Sequence, residues 1–361
     1  MARIDELFRH LKDSKGSDLH LVAGRPPRTR VHGTLVDIEG RDPISDEQLR
    51  ELLREIASAD QWEEYEARGD LDFAYSLKGV ARFRVNFLSQ HNGAAAVFRI
   101  IPEKILGFDD LGVPDAVREL VNLDKGLVLI TGPTGSGKST TLAAVINEIN
   151  EKYSKHIVTI EDPVEFVHPN KNSVLSQREV KHDTASFGDA LKVAIRQDAD
   201  VILVGEMRDL ETIELAITAA EMGTLVFGTL HTNSATKTID RLIDAFPANQ
   251  QSQIRTSVAD SIRAIVSQLL LPTADGHGRC AAYEILLRTN SLSKMIREGN
   301  TSMLLSIIQS CRNQGMCTMD DSLMDLLDEE RITSTVAMAK VNNKDGFEEY
   351  RKLRKKQKDT N

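Results

Sequence analysis

Residues Leu127 to Thr141 read Leu-Val-Leu-Ile-Thr-Gly-Pro-Thr-Gly-Ser-Gly-Lys-Ser-Thr-Thr, and no other stretch restricts the fold as tightly. An apolar run, Leu127 to Ile130, enters a glycine-rich turn that passes directly into the helix formers Leu142, Ala143, Ala144, Val145 and Ile146. Strand, phosphate loop and helix follow in that order, and the turn fits G-x-x-x-x-G-K-[ST] with Gly132 and Gly137 as the fixed glycines. Gly135 and Gly137 carry no Cβ, so the backbone can turn its N–H groups onto phosphate oxygens at close range. Lys138 adds a point charge at the β- and γ-phosphates, the Ser139 hydroxyl is placed for Mg²⁺, and the helix N-terminus favours the anion. The candidate nucleotide-binding residues are therefore Thr134, Gly135, Ser136, Gly137, Lys138, Ser139 and Thr140. An ordinary glycine-rich turn is the competing reading, and the strand-to-helix context favours the nucleotide.

A chain of 361 residues is long for one average domain and suits two, each able to bury its own core. Hydrophobic residues at 41% and charged residues at 27% are ordinary for a globular protein. Lys+Arg 45 against Asp+Glu 54 leaves −9, which argues against nucleic-acid binding through a broadly basic surface. No apolar run approaches the roughly 18 residues of a membrane helix. Met1-Ala2-Arg3-Ile4-Asp5-Glu6 lacks the apolar core of a signal peptide, so a cytoplasmic location is expected. Cys280, Cys311 and Cys317 form no C-x-x-C pair, which indicates neither a zinc site nor a disulfide framework.

The pattern predicts a short helix over residues 4–12, then strands at Asp18–Val22 and Arg28–Gly33 joined by Gly24-Arg25-Pro26-Pro27. Residues 45–66 read as one or two helices, opened by Ser45 three residues before Gln48. Three further strands, Leu71–Tyr75, Ala81–Phe87 and Ala94–Arg99, complete a small α+β domain over 1–101. Prolines and glycines between 102 and 115 mark a linker. A second domain over 116–290 follows, in which strands Leu127–Ile130, His156–Ile160, Val201–Val204 and Thr224–Thr229 alternate with helices. That alternation predicts a parallel sheet covered on both faces, with ligands at the carboxyl ends of its strands. Short helices are expected over 291–343 and a charged tail over 344–361.

Three stretches beyond strand ends are placed to meet a nucleotide. Glu161-Asp162-Pro163-Val164-Glu165-Phe166 offers carboxylates for a hydrated metal or the attacking water, or is simply a polar turn. Gly205-Glu206-Met207-Arg208-Asp209 ends an apolar strand, with Gly205 where an Asp usually stands. Glu206 is the candidate for polarising water and a candidate metal-site residue, the metal being held mainly through Ser139, phosphate oxygens and waters. In Gly228-Thr229-Leu230-His231-Thr232, His231 is placed to sense the γ-phosphate or to pair with a carboxylate, although a lone His often serves structure alone. Arg82 and Arg84 alternate on one face of a strand, available for phosphate or for solubility. Arg99 and Arg196 are weaker candidates.

Taken in order, Gly132–Thr140, Ile157–His168, Asp200–Asp209 and Gly228–Ala235 resemble the Walker A, Asp-box, Walker B and His-box motifs of the type II/IV secretion and pilus ATPases. Gly16-Ser17-Asp18-Leu19-His20-Leu21, Gly33, Arg82-Phe83-Arg84-Val85-Asn86 and Gly315-Met316 with Asp320 extend the likeness, which is greatest to the pilus-retraction branch. The resemblance implies a PAS-like N-terminal domain, a RecA-like P-loop ATPase domain and a homohexameric ring. Such rings act peripherally at the cytoplasmic face of the inner membrane against a platform protein, in some cases with a paralogous retraction ATPase. It also implies ATP with Mg²⁺ as the hydrolysed complex, Glu206 as catalytic glutamate, Glu161 and Glu165 in the carboxylate box, and His231 in the His box. Arg82 and Arg84 would then approach the nucleotide across a domain or subunit boundary.

Arg196-Gln197-Asp198-Ala199-Asp200 departs from the Arg-Glu-Asp-Pro-Asp of many relatives. The choice between the retraction motor and an accessory paralogue therefore stays open, and a nucleotide-gated scaffold without sustained hydrolysis is a third reading. An assembly motor is disfavoured by the short chain without paired C-x-x-C, and a DNA translocase by the negative charge. Arg351, Lys352, Arg354, Lys355, Lys356 and Lys358 crowd the end of the chain, for anionic lipid, for an acidic partner, or as a solvated tail.

Overall fold

The computed structural model describes residues 3–31, 33–101 and 104–358. They form two compact units, residues 1–104 together with 163–167, and residues 105–162 together with 168–361. The short stretch 163–167, which lies in the middle of the expected ATPase domain by sequence, packs with the first unit.

The first unit holds six antiparallel strands: β1 (Asp18–Val22), β2 (Arg28–Val31), β3 (Thr34–Asp37), β4 (Asp70–Leu77), β5 (Ala81–Gln90) and β6 (Gly93–Ile101), in the order β3-β2-β1-β6-β5-β4. Along β5, Phe83, Val85 and Phe87 are fully buried, while Arg82, Arg84 and Asn86 turn to the other face. The buried face packs under the helices Asp5–Asp13, Asp46–Arg54 and Ala59–Arg68, with Phe8 stacked on Phe83 at a centroid distance of 4.3 Å. Ser45 starts its helix as expected: its Oγ accepts the Gln48 N–H at 3.2 Å, and the Gln48 side chain accepts the Ser45 N–H at 3.0 Å.

In the second unit a seven-stranded sheet runs β13-β12-β7-β11-β10-β8-β9. Its strands are β7 (Gly126–Thr131), β8 (His156–Glu161), β9 (Val174–Glu179), β10 (Val201–Val204), β11 (Leu225–Leu230), β12 (Ile262–Pro272) and β13 (Arg279–Leu287). Every pairing is parallel except β12 with β13. The wholly parallel sheet expected from the alternation is thus corrected at one edge, where a hairpin closes the sheet.

Successive residues of the central strands feed two cores. Leu127, Leu129, Val158, Ile202 and Val226 pack with the helices Phe187–Ala194, Leu210–Met222, Ala235–Asp244 and Gln251–Ser261. Val128, Ile130, Ile157, Leu203 and Phe227 pack on the other face with the helix Lys138–Lys152. This two-sided burial explains why β7, β10 and β11 are continuous apolar runs.

Within the span read as linker, Phe108–Leu111 forms a short helix ended by Gly112 at φ 61°. The last segment also departs from a plain charged tail. Lys344–Lys358 is helical, Phe347 is fully buried against Leu323 and Leu327, and Arg354 Nε lies 2.7 Å from Asp328 Oδ1. Among the described residues no helix is long and apolar enough to cross a membrane.

Candidate active site

β7, β11, β10 and β8 are parallel neighbours in register, so the loops leaving their carboxyl ends converge on one side of the sheet. The phosphate loop leaves β7 at Gly132 with φ 146°, and Gly135 and Gly137 follow with φ 78° and 88°. A Cβ at Gly132 would stand 2.3 Å from the Gln268 carbonyl oxygen, so the glycine is required by space as well as by backbone angle. Lys138 opens the helix, and its buried ammonium donates to the carbonyls of Gly132 at 2.8 Å and Pro133 at 3.1 Å. Ser136 Oγ is buried within the loop and has no hydrogen-bond partner among the described residues. A buried hydroxyl left unpaired costs about 1–3 kcal/mol, so this one is available to a polar group entering the loop. Thr134, Gly135 and Ser139 are exposed along the rim, with Thr140 partly covered behind them.

β10 delivers Glu206 beside this loop. Its Oε1 lies 2.5 Å from Arg208 Nε and 3.0 Å from His231 Nε2, the latter carried in from the end of β11. Burial alone would push the Glu206 carboxyl up. The Arg208 hydrogen bond, with the charges of Arg208, His231 and Lys138, outweighs it and holds the group below the usual carboxylate range. The same contact, led by the hydrogen bond to Glu206, raises the Arg208 guanidinium. Thr229 ties the two strand ends together by donating from Oγ1 to the Gly205 carbonyl at 2.6 Å, and Met207 N–H donates to the Thr229 carbonyl at 3.0 Å.

Gly205 has a steric cause. A Cβ there would stand 3.0 Å from the Ile160 carbonyl oxygen and 3.3 Å from Glu161 Cα, on the neighbouring strand. Glu161 itself is aimed by two donors, Thr159 Oγ1 at 2.7 Å and Gln177 Nε2 at 3.4 Å, both to its Oε1. The Gln177 carbonyl oxygen accepts the His168 N–H at 2.7 Å, so one amide on β9 holds both the carboxylate and the loop beyond it.

Lys138, Glu206, His231 and the strand end at Glu161 therefore meet in the second unit. Glu165, Arg82 and Arg84 belong to the first. There Arg82 donates from Nε to the Val164 carbonyl at 3.1 Å, and Arg84 is exposed on the face of β5 opposite the core. Among the described residues no three His, Cys, Asp or Glu side chains are grouped to hold a metal ion. Arg208, Thr229, Gln177 and Gln268 have no assigned role in the sequence reading. Arg208 and Thr229 sit inside the motifs already given, whereas Gln177 and Gln268 act through contacts between strands far apart in sequence.

A parallel sheet with a phosphate loop at one strand end, a glutamate at the tip of another and a histidine at a third defines a RecA-like P-loop ATPase. The chain belongs to the type II/IV secretion system protein family, whose model matches residues 2–360. It is 45% identical over 344 residues to the type IV pilus retraction ATPase PilT of Pseudomonas aeruginosa, covering 95% of this chain and 99% of that protein. It is 46% identical over 326 residues to a twitching motility protein of Neisseria gonorrhoeae, covering 90% and 87%. The crystal structure of the pilus retraction motor PilT with bound ADP superposes with a TM-score of 0.89 at 42% identity, covering 97% of this chain and all of that one.

Proposed function

We propose that this chain is an Mg²⁺-dependent ATPase motor that powers type IV pilus retraction as a homohexamer, working at the cytoplasmic face of the inner membrane against a platform protein. Near-complete mutual coverage with a retraction ATPase supports the reading. The observation that carries the chemistry is the placement of Glu206, bonded to His231 and Arg208 at the tip of β10 beside Lys138.

In this reading the phosphate loop grips the triphosphate through its N–H groups, Ser136 Oγ and Lys138. The Ser139 hydroxyl would hold Mg²⁺, which when bound would supply neutralisation of phosphate charge. Glu206 orients the attacking water and accepts its proton, and His231 reports the state of the γ-phosphate to the carboxylate it touches. Glu161 and Glu165 are the further carboxylates assigned to the reaction, and Glu206 would orient water near a metal held by Ser139. Arg82 and Arg84 supply cations that complete the site in the assembled ring. A paralogous retraction ATPase is a compatible partner.

Glu206→Gln is expected to bind ATP with near-normal affinity while turnover falls by about 10²–10⁴-fold, the range for loss of a general base. An unchanged rate removes Glu206 from its role. In cells, deletion is expected to leave too many pili and no twitching; absent pili would instead indicate an assembly motor.

A further inference from the structure

Gln268 is 3% exposed and stands in an apolar stretch of β12, between Ser267 and three leucines. Burying a carboxamide without partners costs about 1–3 kcal/mol, so its presence requires a reason that Leu or Met would not satisfy. β12 pairs with β7 with Ser267 opposite Thr131, which brings Gln268 level with Gly132, where the phosphate loop leaves its strand. The hydroxyls of Thr131 and Ser267 are 2.8 Å apart and pin that level.

From this position Gln268 touches the loop at both of its fixed glycines. Its main-chain carbonyl oxygen lies 2.3 Å from where a Cβ at Gly132 would be, and its side-chain Nε2 lies 2.9 Å from where a Cβ at Gly137 would be. Thr141 Oγ1, one turn into the helix, donates to Gln268 Oε1 at 2.9 Å in a buried contact. That bond orients the amide, because an oxygen turned toward the hydroxyl leaves Nε2 as the end that faces Gly137. The main chain of Gln268 thus lies against the start of the loop and its side-chain amide against the end, between Gly137 and Thr141.

We propose that Gln268 is a positioning residue for nucleotide phosphate: its carboxamide, set by Thr141, fixes Gly137 and hence the loop N–H groups that meet the β- and γ-phosphate oxygens. The inference rests on the phosphate-loop reading above and adds a residue from a strand outside all four motifs. Gln268 acts through the loop and not on the reacting atoms, so its loss lowers affinity for ATP and ADP alike, with little change in kcat.

The test measures dissociation constants for fluorescent ATP and ADP analogues with Mg²⁺, the nucleotide-free Tm, and KM and kcat. Gln268→Met keeps the volume and removes the amide, Thr141→Val removes the orienting donor, and Gln268→Glu keeps the Thr141 bond while replacing Nε2 with an oxygen. We expect Gln268→Met and Thr141→Val each to weaken both nucleotides about tenfold, with the double variant no worse than either single one, as members of one unit behave. Gln268→Glu is expected to weaken them further, while nucleotide-free Tm stays near wild type. Wild-type affinity in Gln268→Met or Thr141→Val overturns the proposal, as does a loss that only tracks a fallen nucleotide-free Tm. If Gln268→Met does not fold, Thr141→Val decides alone. Should the wild-type protein bind neither analogue, the phosphate-loop reading fails first, an outcome distinct from a selective loss in the variants.

Discussion

Arg208 Nε and His231 Nε2 converge on the same oxygen of Glu206, at 2.5 and 3.0 Å. Two donors on Oε1 aim the carboxylate, and the cations around it favour its charged form over the protonated one. Lys138 adds its charge from the phosphate loop, and Asp162 acts in turn on Arg208. A base held below the usual carboxylate range stays ionised in mildly acidic solution, at the expense of proton affinity.

Arg208→Gln removes the nearest cation and keeps a neutral donor. The acid limb of the kcat–pH profile, low in the wild type, is expected to move to higher pH in this variant. Steady-state ATPase rates from pH 4.5 to 8 check it. An unmoved limb means that Arg208 does not set the proton affinity of the catalytic carboxylate.

His168 ends the carboxylate box and is buried, with Nδ1 unpaired among the described residues. Burial first, and the charge of Lys171 second, push its imidazole down from 6.5 to about 4. The folded protein therefore refuses a proton that the unfolded chain accepts near pH 6.5, and stability falls as pH drops from there toward about 4. His168→Gln is expected to flatten the dependence of Tm on pH between 7 and 5, and thermal unfolding across that interval measures it. An equal slope in the variant assigns the acid sensitivity to other groups.

Gly205→Ala and Gly205→Asp separate space from charge at the position where an Asp is usual. Both place a Cβ 3.0 Å from the Ile160 carbonyl oxygen, and that backbone atom yields only if β8 and β10 shift. We expect Gly205→Ala to cost about 1–3 kcal/mol, as for other overpacked sites, and to lower Tm accordingly. Gly205→Asp adds a carboxylate beside Glu161 and Glu206 and is expected to lower turnover further. Gain of activity in Gly205→Asp would show that the glycine is a lost metal ligand, not a fitted contact.

Two kinds of strand are legible in the sequence: the apolar runs of β7, β10 and β11, with the mostly apolar β8, and the alternating strands of the first unit such as β5. β7, β8, β10 and β11 each end in a turn that carries chemistry. β12 was hidden because it begins at Ile262, directly after the helix Gln251–Ser261, with no turn residue between them. β9 was hidden because, at the sheet edge, it is only partly covered and reads Val-Leu-Ser-Gln-Arg-Glu. The roles of Gln177 and Gln268 follow from register between strands, which periodicity does not encode. Arg208 was in plain view inside a motif, but its pairing with Glu206 depends on how the chain bends after Gly205.

Glu284 on β13 gives the last test. Its side chain is 6% exposed and accepts the N–H of Ala235 at 2.8 Å and also that of Met319. Ala235 opens the helix that follows the His box, and Met319 opens a helix of the C-terminal array, so one carboxylate satisfies donors at two helix starts. Burial raises its pKa, and the two N–H bonds offset only part of that rise. Because the folded protein takes up this proton more readily than the unfolded chain, the carboxyl contributes less stability as pH climbs past the ordinary glutamate value. Glu284→Gln keeps a carbonyl acceptor and drops the buried charge, so its Tm at pH 8 is expected to equal or exceed that of the wild type. Glu284→Leu strands both donors and is expected to cost about 1–3 kcal/mol for each N–H left unpaired. Thermal unfolding of the three proteins at pH 5 and pH 8 separates the effects. Matching Tm values for the Leu and Gln variants would mean that the two helices find other acceptors and that the carboxylate does not join them.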